Sequence, residues 1–234
     1  MSTDFHQFET NEELVHQLAN SITGDLGDAI SKRGLATMAV SGGFTPRPLF
    51  EQLSQCPLDW SQVTVTQVDE RWIAEQHADS NARLIREHML QNHAAAAKFV
   101  SIKTQHSSPF DAEKEAAKKL SAFAGPIDVV VLGMGEDGHT ASFFPHVPSL
   151  IRALNCSGKE LCVAVSAPHA RHRRMTLTLP TLLRARNLYL HITGEAKWEV
   201  LQRAIAQGPV EDLPIRSVLT LAKTPLQIYY ASES

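Results

Sequence analysis

Cysteine is scarce in this sequence: three residues in 234, Cys56, Cys156 and Cys162, odd in number and without C-x-x-C spacing. A disulfide framework and a zinc knuckle are thereby disfavoured, and a reducing compartment fits best. Long apolar runs are missing too, so no segment has the length to span a bilayer as a helix. The stretch MSTDFHQFETNEELV carries acids where a secretory leader would carry basic residues and then an apolar core, so a cytoplasmic setting is expected. There is no excess of positive charge. Lys+Arg 22 against Asp+Glu 25 gives a formal net charge of −3, which offers nucleic acid no general attraction. Linkers rich in Pro, Gly or Ser are absent, no repeat recurs, and the only low-complexity patch is the alanine run after His93. A single domain over residues 1–234 is the expectation.

What the chain does contain is an alternation of two periods. Thr10 and Glu13 have the spacing of a capping box ahead of ELVHQLANSITGDLGDAISKR, whose apolar positions recur at helical intervals despite two glycines. Short β-rich runs follow (LATMAVS, QVTVTQVD, KFVSI, IDVVVLG, LCVAVS, NLYLHIT). Between them lie helical segments such as PRPLFEQLSQ, SNARLIREHMLQ, DAEKEAAKKLSAFA and GEAKWEVLQRAIAQ. This order predicts an α/β fold with a largely parallel sheet covered by helices on both faces. The run RRMTLTLP alternates Arg174, Thr176 and Thr178 with Met175, Leu177 and Leu179, which predicts a half-exposed strand.

In open α/β sheets ligands bind beyond the carboxyl ends of the strands, so the loops leaving these runs carry the chemistry. One of them, GMGEDGHTASFFP, spells G-x-G-x-x-G with Gly133, Gly135 and Gly138. It is not a dinucleotide fingerprint. Pro145 and Pro148 cut short any helix starting near His139, and Glu160 precedes the next strand instead of ending it. The turn instead gathers Glu136, Asp137 and His139. Histidine exchanges a proton near neutral pH, and a neighbouring carboxylate can fix its tautomer.

The loop SGGFTP, with Ser41, Gly42 and Gly43, leaves two readings open: an anion or oxyanion site at a helix N-terminus, or an ordinary β-to-α turn. Arg71 follows the strand QVTVTQVD. Lys197 lies in the first turn of its helix, where a cation is not placed for the dipole and suggests an anionic ligand. Arg174, on the polar side of its strand, could join them in gripping phosphate. Taken singly, each of these cations would be read as half of a surface salt bridge. The basic run HARHRR, residues 169–174, is neither a metal site nor a nucleic-acid patch: His169 and His172 lack an acidic partner, and no aromatic interleaves with the arginines.

Together, SGGFTPRPLF, VDERW, SNARLIREHML, VLGMGEDGHTASFFP, RMTLT and TGEAK resemble, in order and along most of the chain, the 6-phosphogluconolactonase family. The resemblance implies a three-layer α/β/α sandwich with a mainly parallel, Rossmann-like sheet. It implies hydrolysis of 6-phosphogluconolactone in the oxidative pentose phosphate pathway without metal or organic cofactor. The implied partner is a small sugar-phosphate lactone, with no nucleic acid, no membrane and no obligate protein partner. Carried over by motif, His139 would be the general base, with Asp137 and the turn at Gly138 orienting it. Arg71 and Lys197 would hold the phosphate, with Arg174 assisting. Ser41, Gly42 and Gly43 would line the lactone pocket, and Asp69 and Asn81 would support it.

Two departures matter. Members of the family read S-L-F-P-G where this chain has Ser142, Phe143, Phe144, Pro145 and His146, so His146 stands at a glycine position. The related amino-sugar phosphate deaminases would continue the histidine as H-I-A-F-N-E-P. Here HTASFFP lacks that glutamate, which makes a deaminase the alternative, alongside a sugar-phosphate sensor without turnover.

Overall fold

The computed structural model describes residues 3–168 and 170–232. Its long first helix, α1 (Asn11–Arg33), begins as the capping pattern requires, with Thr10 Oγ1 accepting from the Glu13 N–H at 3.2 Å. It stops at Gly34, whose φ of 73° is a left-handed cap. Gly24 and Gly27 are tolerated within it because tertiary burial of Leu14, Leu18, Ile22 and Leu26 outweighs propensity.

Seven strands form one parallel sheet: β1 (Thr3–Phe8), β2 (Ala36–Val40), β3 (Val63–Gln67), then β5 (Lys98–Phe99), β6 (Val129–Leu132), β9 (Asn187–Thr193) and β10 (Leu226–Ala231). Their spatial order is β1-β10-β9-β6-β2-β3-β5. Alternate residues feed two cores. Val129 and Val131 pack toward α1, α2 (Arg47–Gln55) and α3 (Asn81–His88). Val130 and Leu132 pack toward α4 (Pro109–Lys119), α5 (Leu150–Ala153), α6 (Leu179–Leu182), α7 (Glu195–Ile205) and α8 (Ile215–Leu221). Full burial of each such side chain is worth roughly 1.5–3 kcal/mol, and a sheet covered on both faces reads as the uninterrupted VVVL.

A second, antiparallel sheet of three strands joins β4 (Asp69–Arg71), β8 (Arg174–Leu177) and β7 (Cys162–Val165). The run QVTVTQVD is therefore not one strand. Val68 is the joint: its N–H donates to Val40 O at 2.9 Å, while its carbonyl accepts from the Leu177 N–H at 2.8 Å. Arg71 ends a strand of the small sheet instead of following one of the large sheet.

The half-exposed strand expected at RRMTLTLP is also corrected. Thr176 and Thr178 are buried. β8 is the middle strand of its sheet, and its polar row faces the 140–143 turn, where Thr176 Oγ1 accepts from the Ser142 N–H at 3.3 Å. Leu179 already belongs to α6. Two strands, β1 and β10, and helices α5, α6 and α8 have no counterpart in the sequence reading. β1 is an edge strand of mixed polarity, TDFHQF, with no apolar signature to betray it.

The strand order fixes where a ligand can sit. From β2 the chain winds outward through β3 to β5, then returns to β6 on the other side of β2 and winds outward through β9 and β10. The reversal opens a crevice at the carboxyl ends of β2 and β6. Among the described residues, no helix is long and apolar enough to cross a membrane.

Candidate active site

Above that crevice lie the loops 41–46 and 133–146. They are tied together by the Gly133 N–H donating to Ser41 Oγ at 2.9 Å. Between them is a cleft of about 260 Å³ whose wall includes Ser41, Gly42, Gly43, Asp69, Arg71 and Asn81. His139, Arg174 and Lys197 line it too. Nine of the eleven residues singled out in the sequence thus meet at one cavity. Asp137 stands behind His139, and Gly138 does not reach the cleft. With φ at 76°, Gly138 closes the turn by donating to Gly135 O at 2.9 Å, and an added Cβ would lie 2.6 Å from Leu213.

The bend at Gly135–His139 is closed by a bond from the Gly135 N–H to His139 O at 2.9 Å. It presents the imidazole with a third of its side chain exposed. Asp137 Oδ1 lies 2.5 Å from His139 Nδ1 and accepts the His139 backbone N–H at 3.1 Å. Because the carboxylate accepts, the proton sits on Nδ1 and Nε2 is left with a lone pair. Burial pushes the Asp137 carboxyl up, but the bond and charge of His139 outweigh it, so it lies below the usual aspartate range. Glu136, expected beside this pair, is exposed and makes no bond to either residue. Its charge acts on Lys197 instead.

Phe144 links the histidine to the arginine wall. Its ring centroid is 4.8 Å from that of His139, and Arg174 Cζ lies 5.6 Å from it. Arg174 also meets Asp69 Oδ2 at 3.4 Å. Burial pulls its pKa below the ordinary arginine value, with Asp69 opposing, yet a guanidinium stays charged. Arg71 donates from Nη1 to Asp79 O at 2.6 Å. Across the cleft, Lys197 Nζ donates to Thr45 Oγ1 at 3.0 Å. Burial lowers its pKa, and Glu136 partly offsets that.

Asp69 is held by Ser142 Oγ at 2.5 Å and by Asn81 Nδ2, which also donates to the Asp69 carbonyl at 2.9 Å. Asn81 packs so tightly on Gly42 that a Cβ there would fall 1.9 Å from its Oδ1, so glycine is required by close approach. Beneath them Glu70, 1% exposed, accepts from the backbone N–H groups of Arg71, Asn81 and Ala82 and so anchors the start of α3. Burial drives its pKa up against those three bonds.

Sequence reasoning missed Glu70, Ser142, Thr45, Phe44, Phe144 and His191. Thr45, Phe44, Ser142 and Phe144 fall inside motifs it had marked, so loop position was a usable signal. Glu70 falls inside the marked VDERW as well, though its part is played against the start of α3, while His191 carries no local mark. Phe44, 98% exposed, stands at the mouth of the cleft. His146 adopts φ 55°, the left-handed region where glycine is at ease. Its ring meets Asp212 at 3.3 Å and borders a separate surface depression with Ile151 and Val210, not the cleft. His169 lies outside the described residues. His172, expected to lack an acidic partner, has one in Asp79 at 2.9 Å, brought in from a loop distant in sequence; among the described residues no three His, Cys, Asp or Glu side chains cluster as a metal site would require.

A family model described as glucosamine-6-phosphate isomerases/6-phosphogluconolactonase matches residues 9–226. A 6-phosphogluconolactonase of Rhizobium meliloti (strain 1021) is 43% identical over 231 residues, covering 99% of this chain and 100% of the relative. One from Pseudomonas aeruginosa is 41% identical over 218 residues, 93% of this chain and 90% of that protein. The crystal structure of a 6-phosphogluconolactonase from Shewanella baltica OS155 superposes with a TM-score of 0.95 at 44% identity, covering 98% of this chain and 97% of the other. Sequence, fold and cleft agree, and the chain belongs to the glucosamine-6-phosphate isomerase/6-phosphogluconolactonase family.

Proposed function

We propose that this protein is a lactone hydrolase that converts 6-phospho-D-glucono-1,5-lactone to 6-phospho-D-gluconate, the second step of the oxidative pentose phosphate pathway. The proposal places the activity in one domain spanning residues 1–234 and in the cytoplasm. A cytoplasmic setting is in keeping with Cys56, Cys156 and Cys162 being free thiols. Relatives above 40% identity over most of their length carry the name 6-phosphogluconolactonase. The observation that carries the proposal is the His139–Asp137 pair at 2.5 Å, set at the edge of a cleft that Arg71, Arg174 and Lys197 also line.

In this scheme Nε2 of His139 takes a proton from water as the water oxygen attacks the lactone carbonyl carbon. The carbonyl becomes a tetrahedral oxyanion, stabilised by N–H groups of the glycine loops and by the nearby cations. As the intermediate collapses, the bond from the carbonyl carbon to the ring oxygen breaks. The imidazolium returns its proton to that oxygen, so one residue serves as base and then as acid. Asp137 keeps the ring in the productive tautomer and steadies its positive form. Arg71 and Lys197 hold the phosphate, Arg174 assists, and this remote grip orients the lactone over the histidine.

The test is product release from freshly generated 6-phosphogluconolactone, corrected for spontaneous hydrolysis. Acid formation above background supports the proposal. Ammonia from glucosamine 6-phosphate would make the protein a deaminase, and binding without turnover would make it a sensor. Arg71→Ala and Lys197→Ala should harm the phosphorylated lactone far more than plain gluconolactone. Equal damage to both substrates would contradict the phosphate role.

A further inference from the structure

We infer that His191 is a substrate-binding residue of this cleft, an uncharged hydrogen-bond donor in its floor that meets the phosphoryl group beneath Lys197. This depends on the lactonase proposal and deepens it, because the phosphate cradle then includes a group outside every motif of the sequence.

The placement follows from strand parity. On β9, Leu188, Leu190 and Ile192 enter one core, while Tyr189 turns to the opposite face of the sheet. His191 shares the face of Tyr189 and lies across from Tyr229 of β10. Three residues on, the chain turns at Gly194, with φ at 85°, into α7, whose third residue is Lys197. Thr45, on the loop that precedes α2, accepts from Lys197 Nζ. His191, Lys197 and Thr45 all line the cleft.

The burial of this ring is unusual for its surroundings. His191 is 2% exposed, and neither ring nitrogen has a hydrogen-bond partner among the described residues. A neutral imidazole always carries one N–H and one lone pair, and burying them unpaired is unfavourable. Its neighbours along the strand are apolar, and a leucine would fill the position without that penalty. A polar ring kept there, on the wall of the cleft, is explained if a ligand group completes its bonding.

The charge state fits an anion. Burial, with Lys197 adding to it, pushes the pKa down to about 3, so the ring stays neutral and keeps an N–H to give at working pH. A phosphoryl group offers three acceptor oxygens, enough for the lysine ammonium and the imidazole together.

The experiment compares kcat and KM of His191→Leu on 6-phosphogluconolactone and on gluconolactone. Losing a hydrogen bond to a charged group should raise KM for the phosphorylated substrate about tenfold or more while kcat changes little. The damage should be at least about tenfold greater for the phosphorylated lactone than for the plain one. His191→Asn or His191→Gln, which keep a neutral N–H, should recover most of the loss. Unchanged KM, or equal damage to both lactones, overturns the inference.

Lys197→Ala separates the two levels of the claim. If it loses the preference for the phosphorylated lactone and His191→Leu does not, the histidine assignment alone fails. If Lys197→Ala also keeps that preference, the phosphate cradle itself is misplaced. Should His191→Leu fail to fold, the wild-type protein labelled with 15N-histidine is titrated with 6-phosphogluconate. A ring nitrogen of His191 that shifts at saturation, and does not shift with gluconate, supports the assignment. A ring that ignores both ligands refutes it.

Discussion

Gly42→Ala is the perturbation whose outcome the geometry specifies most tightly. The backbone at Gly42 is not in the left-handed region, so alanine brings no conformational strain and acts only through its methyl group. That methyl would stand 1.9 Å from Asn81 Oδ1, about 1.5 Å inside the 3.4 Å at which ordinary contact begins. The amide must retreat by that distance. Its 2.9 Å bond to the Asp69 carbonyl then stretches beyond hydrogen-bond range.

Overpacking costs about 1–3 kcal/mol, and the buried carbonyl left unpaired costs a similar amount, which together predict a loss of about 2–6 kcal/mol. Because Asp69 and Asn81 line the cleft, kcat/KM on the phosphorylated lactone should fall roughly a hundredfold. Urea unfolding of Gly42→Ala, Asn81→Ala and the double variant measures the coupling. With the amide gone the three atoms nearest the methyl are gone as well, and Gly42→Ala should then cost less than about 1 kcal/mol. The same cost in both backgrounds would refute the steric reasoning.

His139→Ala should leave a folded protein with kcat lowered about a hundredfold to ten-thousandfold, and near-normal turnover would remove His139 from the mechanism. Acid stability should report on His191. Its folded pKa of about 3 lies below the unfolded value near 6.5, so the unfolded chain binds the extra proton and stability is lost as pH falls below 6.5. Between pH 6.5 and 5.5, wild type should lose about 1 kcal/mol more than His191→Leu, and parallel profiles would contradict the buried, depressed ring. His146→Gly should stabilise by about 1 kcal/mol in urea, since glycine relieves the φ of 55° and the pair with Asp212 is exposed on both sides. A destabilised variant would show that the ring holds the loop in some other way.

The bend that carries the histidine was readable because its parts are local. Glycines at fixed offsets, prolines that forbid a long helix and a carboxylate two residues from the imidazole all act within one turn. Thr10 capping α1 belongs to the same kind of signal, a side chain answering the backbone three residues on. Thr176 shows the limit: alternation placed it correctly on a polar face but could not say that the face is sealed by the 140–143 turn. β1 shows another, for an edge strand draws its order from β10, more than two hundred residues away in sequence.

By itself, then, the sequence determined the α/β class, the bend that presents His139 and the loops that could bear charge, because these follow from period, turn chemistry and neighbours a few residues apart. Only the tertiary structure decided that Arg71 sits in a separate antiparallel sheet, that Asn81 presses on Gly42, and that His191 lines the cleft with no hydrogen-bond partner among the described residues. Those facts depend on which strands become neighbours. Strand order is set by burial summed over the whole chain, and no short stretch of residues contains it.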